Sequence, residues 1–229
     1  ESEAEKAHLI NVIGPENLAK VCKEYNTILL HISTDFIFDG TSTSLSMTNG
    51  YKETDIPNPQ SVYGQTKLDG ELAVQKNWEK HFIIRTSWVY SQFANNFMKT
   101  MLRLASERDS LLVVNDQIGT PTNAVDLAEV LLKIIQTCHA ELVSASPNYF
   151  GVYNFSNEGI CSWYDFAKEI FQQKAISINL NPIPTESYPT PATRPAYSVL
   201  DKTKIKAVFH IEIQDWKDSL KECLIQLNG

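Results

Sequence analysis

The stretch Ser61-Val62-Tyr63-Gly64-Gln65-Thr66-Lys67 has the residue types and spacing best suited to proton chemistry in this chain. Residues four apart share a helix face, so Tyr63 and Lys67 can point into one cleft. A phenol titrates near ~10 in water. An ammonium about 5 Å away, at an effective dielectric of about 20, favours the phenolate by roughly 3 kcal/mol. That is about two pK units, and the expectation is therefore that Lys67 brings Tyr63 into the range of a general acid. The spacing alone is a weak signal, because Tyr164 and Lys168 repeat it. There, Ser162 and Asp165 resemble a capping box, and the apolar face of Phe166, Ala167, Ile170 and Phe171 explains the helix as a packing element.

The elements around Tyr63 supply the context that the spacing lacks. Ile28-Leu29-Leu30-His31-Ile32 is a continuous apolar run, the pattern of a strand buried on both faces of a parallel sheet. It leads into Ser33-Thr34-Asp35, polar groups at the carboxyl end of a strand, where open α/β sheets bind ligands. His31 reads as a core histidine. Residues 39–60 are rich in Gly, Ser, Thr, Asn and Pro and read as an irregular surface excursion. The Tyr63 helix follows, and then a strand over 82–90. Strand, excursion, helix and strand make half of a doubly wound sheet.

Upstream, residues 1–25 read as helix, with Ala7, Ile10, Leu18, Val21 and Cys22 on an apolar stripe and Gly14-Pro15 as a kink or restart. Downstream, the pattern predicts a helix over 96–108, a strand over 111–115 and a turn over 116–122. A helix over 124–138, a loop over 139–150 and a strand over 151–155 follow. The five prolines between 182 and 195 favour an extended segment, and an amphipathic helix over 214–227 closes the chain.

The chain's 229 residues, 43% hydrophobic, suffice for one globular unit with a smaller lobe. A net charge of −7 argues against nucleic acid or an anionic membrane as partner. No apolar run approaches the ~20 residues that span a bilayer. Cys22, Cys138, Cys161 and Cys223 are dispersed, which suits reduced thiols in a cytoplasmic protein and neither a disulfide framework nor a zinc site.

Five segments in order carry a resemblance: His31-Ile32-Ser33-Thr34-Asp35-Phe36-Ile37-Phe38-Asp39-Gly40; Tyr63-Gly64-Gln65-Thr66-Lys67-Leu68; Arg85-Thr86-Ser87-Trp88-Val89-Tyr90; Asn96-Phe97; and Asp116-Gln117-x-Gly119-x-Pro121-Thr122. Together they resemble the dTDP-4-dehydrorhamnose reductase family of extended short-chain dehydrogenases, in register from Glu1 to the C-terminal helix. The resemblance implies a Rossmann-like α/β fold with a doubly wound parallel sheet. Residues 1–125 would form the remaining part of the NAD(P)-binding domain. Residues 126–229 would be a mixed region whose substrate-binding lobe covers about 150–229. The implied reaction is reduction of the C4 keto group of dTDP-4-dehydro-L-rhamnose by NADPH or NADH. Thr34, Tyr63 and Lys67 would be catalytic; Ser33, Tyr63 and Lys67 would contact cofactor; Thr34, Asp35, Trp88, Gln117 and Arg194 would contact the dTDP-sugar. Monomer and homodimer both fit. Some relatives hold Mg2+ with acidic residues between subunits, a site that no residues here mark.

The chain departs from the family at its start. It opens on Glu1-Ser2-Glu3 without Met and contains no G-x-x-G-x-x-G. A family member would carry roughly 60 further N-terminal residues with the first strands and the Gly-rich phosphate loop, so the expectation is an N-terminally truncated chain. Rival readings are a nucleotide-sugar 4-epimerase or dehydratase of the same family, or a regulatory subunit that keeps the fold as a binding module. Against the dehydratase, Asp35 is followed by Phe36 and not by a second acid.

Overall fold

The computed structural model describes residues 1–41, 50–141 and 149–227. Helix α1 (Ala4–His8) passes through a π turn (Leu9–Ile13) into α2 (Gly14–Glu24), with Pro15 in the first turn of α2. Its buried residues are Val12, Pro15 and Ala19, while Ile10, Leu18 and Val21 of the expected apolar stripe are exposed. The π turn is the physical reason, since one wide turn shifts the facing side of every residue after it.

The strands in chain order are β1 (Leu29–Thr34), β2 (His81–Thr86), β3 (Val89–Tyr90), β4 (Ser110–Val114), β5 (Ile118–Gly119), β6 (Thr122–Asn123), β7 (Gly151–Asn154), β8 (Cys161–Ser162) and β9 (Asn179–Ile183). The remaining helices are α3 (Val62–Asn77), α4 (Phe97–Glu107), α5 (Ala124–Glu141), α6 (Trp163–Gln173), α7 (Thr203–Phe209) and α8 (Trp216–Gln226). The central sheet is parallel, in the order β1-β2-β7. Its register sets Ser33 beside Arg85 and Thr34 beside Thr86.

Alternate residues of β1 serve opposite faces. Leu29 packs with Ile83, Val74, Trp78 and Ala19 on the α2–α3 side. Leu30 and Ile32 pack with Phe82, Ile84, Ile134 and Phe209 on the α5–α7 side. The sheet is thus sandwiched between helical layers, the α/β Rossmann-like arrangement anticipated from the sequence. A separate core of Tyr90, Met98, Phe166, Trp216 and Leu220 joins α4, α6 and α8.

Four local expectations change. The strand over 82–90 breaks at Ser87-Trp88, because Trp88 takes a left-handed φ of +47° that no strand residue adopts. The proline-rich segment begins as a strand, β9, paired in parallel with β4, and Pro182 is tolerated there because this two-stranded sheet has only edges. Helix α7 was not legible in the sequence at all, since seven residues give too little periodicity to register. Helix α5 runs on to Glu141, and 142–148 of the expected loop lie outside the described residues, as do 42–49 of the excursion.

A strap of residues 195–201 ties the excursion to the turn before β6. The Tyr51 N–H donates to the Val199 carbonyl (2.8 Å) and the Asp201 N–H to the Tyr51 carbonyl (2.8 Å). On the other side, the Ile118 N–H donates to the Ala196 carbonyl (2.8 Å) and the Ser198 N–H to the Ile118 carbonyl (2.9 Å).

Candidate active site

Strand β1 ends at Thr34, and a 3-10 turn (Asp35–Ile37) follows at once. Thr34 caps that turn: its Oγ1 accepts from the Phe36 N–H (3.2 Å) and donates to Asp35 Oδ1 (3.1 Å). Helix α3 starts just beyond Ser61, whose Oγ accepts from the Gly64 N–H (3.1 Å). Gly64 is required at this place because a Cβ would collide with the Phe36 carbonyl oxygen. The close approach sets the Tyr63 side chain beside that of Thr34, near enough for the Thr34 side chain to act on the phenol. The Phe36 ring meets Tyr63 edge-on, 5.6 Å between centroids. Asn11 Nδ2 donates to Thr66 Oγ1 (3.0 Å), fixing α3 from its other side.

Lys67 lies one turn beyond Tyr63, and its Nζ donates to the Ile32 carbonyl (2.6 Å). Thr34, Asp35, Tyr63 and Lys67 are therefore gathered at the carboxyl rim of the buried sheet. Ser33 joins them with a buried Oγ that has no hydrogen-bond partner. Asp35 Oδ2 and His31 Nε2 are likewise buried and unpartnered.

The electrostatics differ from the sequence expectation. Burial pushes the Tyr63 phenol above its ordinary value, the Thr34 side chain works against this, and the Asp35 charge adds to it. The ring itself remains 45% exposed and open to a ligand. The groups that set the Tyr63 phenol do not include Lys67, whose ammonium donates to the Ile32 carbonyl; burial pulls Lys67 down and Glu71 partly restores it. Asp35 is pushed up to about 6 by burial, against the side chains of Ser198 and Thr34. Burial, with the Lys67 charge second, pulls His31 down to about 4.

The other three expected site residues lie elsewhere. Trp88 stacks on Trp163 (3.6 Å between centroids, 12° between planes) and also presses on Gly119, where a Cβ would sit 2.7 Å from the indole. Gln117 and Arg194 line a cavity of about 760 Å³ beside α4 and β4, with Phe97, Arg108, Trp163 and Tyr188. Gln117 is held by a bond from its Nε2 to Thr185 Oγ1 (3.1 Å), whereas Arg194 is exposed. None of the catalytic candidates lines this cavity, and Trp88 is linked to it through Trp163, which lines the cavity and stacks on Trp88. Trp163, Arg108 and Tyr188 went unnoticed in the sequence. Trp163 follows the Ser162 cap directly, so its only signal was a helix start that packing already explained.

Among the described residues, no group of three or more His, Cys, Asp or Glu is placed to hold a metal ion, so the Mg2+ allowed by the resemblance has no site among them. No helix among them is long and apolar enough to cross a membrane. A family model described as "RmlD substrate binding domain" matches residues 1–228. The dTDP-4-dehydrorhamnose reductase of Aggregatibacter actinomycetemcomitans is 42% identical over 227 residues, covering 96% of this chain and 74% of that protein. A crystal structure of a dTDP-4-dehydrorhamnose reductase from Clostridium acetobutylicum superposes with a TM-score of 0.90 at 41% identity, covering 100% of this chain and 76% of that one. The Bacillus anthracis dTDP-4-dehydrorhamnose reductase, solved in complex with NADP, gives a TM-score of 0.89 at 37% identity, covering 99% and 75%.

Proposed function

We propose that this chain, which belongs to the dTDP-4-dehydrorhamnose reductase family, reduces the C4 carbonyl of dTDP-4-dehydro-L-rhamnose to give dTDP-L-rhamnose. The observation that carries the reading is the gathering of Thr34, Asp35, Tyr63 and Lys67 at the end of β1, with Asp35 bonded to Thr34, Tyr63 beside Thr34, and Lys67 one turn beyond Tyr63 and bonded to the Ile32 carbonyl. A reduced nicotinamide, NADPH or NADH, supplies the hydride when bound.

Every other step falls to residues of this chain. Tyr63 gives its proton to the oxygen that gains charge at C4. Its raised pKa keeps that proton in place at neutral pH until the charge develops. The Thr34 hydroxyl, which donates to Asp35 at rest, can turn to the same oxygen. Of the three donors on Lys67 one is spent on Ile32, and the others would serve ribose hydroxyls and the phenolate left on Tyr63. The unpartnered Ser33 hydroxyl fits a polar group of the cofactor, and the unpartnered Asp35 oxygen fits a sugar hydroxyl.

The cavity would take the nucleotide. Trp163, Phe97 and Tyr188 offer apolar faces to a base, and the Arg108 and Arg194 guanidinium groups suit a diphosphate. Trp88 would abut the sugar from the stacked pair. The free cysteines suit a cytoplasmic setting.

Tyr63→Phe in the intact protein tests this reading. With dTDP-4-dehydro-L-rhamnose and NADPH, kcat for cofactor oxidation should fall about 10²- to 10⁴-fold while KM changes little. An unchanged kcat removes Tyr63 from the mechanism, and turnover of the sugar without net cofactor oxidation replaces the reductase with an epimerase.

A further inference from the structure

Beneath the site lies an ion pair with no role in the mechanism above. Glu71 is fully buried, one turn beyond Lys67 on the face that carries Tyr63 and Lys67. Arg85 of β2, also buried, holds it by three contacts: Nε to Oε1 (3.0 Å), Nε to Oε2 (3.2 Å) and Nη2 to Oε2 (2.7 Å). Removing two ions from water is strongly unfavourable, and apolar replacements of such pairs are often neutral or stabilising. Stability alone therefore gives little reason for charges here.

Placement gives a better one. Arg85 is level with Ser33 in the sheet register. Its Nη1 donates to the Glu53 carbonyl (3.3 Å), and its guanidinium lies 5.6 Å from the centre of the Phe38 ring. Glu53 and Phe38 belong to the segment that runs from Thr34 to α3. One guanidinium thus touches the residue that leads into the excursion, a backbone carbonyl within it and, through Glu71, the helix that carries Tyr63 and Lys67.

We infer that Glu71 and Arg85 are the positioning pair of this site: Arg85 anchors the excursion and Glu71, and the Glu71 carboxylate keeps Lys67 an ammonium aimed at the rim. The ionisable groups gathered about Lys67 are His31 from β1, Asp35 from the turn after it, and Tyr63 and Glu71 from α3, with Arg85 of β2 behind Glu71; the charge interactions with Lys67 are those of His31 and Glu71. Glu71 and, at the rim, Asp35 bring negative charge at neutral pH, and of the two it is Glu71 that supports the ammonium against burial. The inference rests on the reductase reading.

Its test is the pH dependence of kcat in the intact protein. Glu71→Gln should move the alkaline limb down by about one unit, because Lys67 would lose its proton earlier. Glu71→Asp, which keeps the charge, should return the limb to its wild-type position. The pair Glu71→Met with Arg85→Met should unfold near the wild-type temperature and yet lose at least about tenfold in kcat, with little change in KM. An unmoved limb in Glu71→Gln, or full kcat in the double variant, overturns the inference. So does outright unfolding of both, which would make the pair a stability element. An unchanged rate in Tyr63→Phe sinks the reductase reading instead, so the two failures are distinguishable.

Discussion

Asp35 and His31, neighbours on β1 and the turn after it, pull the pH dependence of stability in opposite directions. Asp35 is raised to about 6, above the ~3.9 of an unfolded chain. Between those values the folded state binds more protons, so stability falls as pH rises. His31 is depressed to about 4, below the ~6.5 of an unfolded histidine. There the unfolded state binds more protons, so stability rises with pH over nearly the same window. Each effect is about 3 kcal/mol at most, and the two largely cancel between about pH 4 and 6.5. Asp35→Asn breaks the cancellation. The variant should be about 2–3 kcal/mol more stable than wild type at pH 7, and its stability should drop steeply as pH falls below about 6.5. Its activity should fall, the trade expected where a site keeps an uncomfortable buried acid. Denaturant unfolding at several pH values measures this; an unchanged midpoint at pH 7 would show that Asp35 carries no burial penalty.

At the level of elements, glycine placement decides whether the catalytic groups meet. Gly64 lets the first turn of α3 rest on the Phe36 carbonyl, and Gly70 lets the same helix rest on the Asn11 carbonyl of the π turn. Neither is at a positive φ; both are contact glycines. Gly64→Ala should lift the start of α3 away from the 3-10 turn and part Tyr63 from Thr34. The expected result is a loss of at least about tenfold in kcat, with a destabilisation of only about 1–3 kcal/mol from overpacking. Normal kcat in a folded variant would mean that the approach does not set the Tyr63–Thr34 distance.

The sequence made Tyr63, Lys67 and the polar strand end legible, because helix spacing and an apolar run ending in Ser-Thr-Asp are local patterns. It did not reveal that the Lys67 ammonium would donate to the Ile32 carbonyl, or that burial would raise Tyr63, since both depend on which atoms the fold brings around the strand end. The left-handed turn at Trp88 escaped for the same reason. It is fixed by stacking on Trp163 and by the missing Cβ of Gly119, residues far apart in the chain.

At the scale of the whole molecule, the two groups of expected ligand contacts occupy different places. Thr34, Asp35, Tyr63 and Lys67 stand at the sheet rim, while Gln117 and Arg194 line the cavity beside α4 and β4. The strap of 195–201 spans the gap: it begins beside Arg194, bonds to Ile118 next to Gln117, and reaches Tyr51 in the excursion. Ser198, within it, lies near enough to Asp35 to lower its carboxyl against burial. A ligand bound in both places would therefore depend on how firmly the strap is held. Gly50 is the clearest point of attack. Its φ is +92°, and a Cβ there would lie 2.5 Å from the Val199 carbonyl oxygen. Gly50→Ala combines backbone strain with a clash and should destabilise the protein by about 2–3 kcal/mol, lowering the unfolding temperature by roughly 5–10 °C. Below that temperature, KM for the sugar nucleotide should rise several-fold more than kcat falls, because the strap positions cavity residues and leaves the Tyr63–Thr34 contact to Gly64. Arg194→Ala should raise KM in the same way without the thermal loss. If Gly50→Ala loses stability while KM stays at the wild-type value, the strap is a structural tie alone and the cavity and the rim work independently.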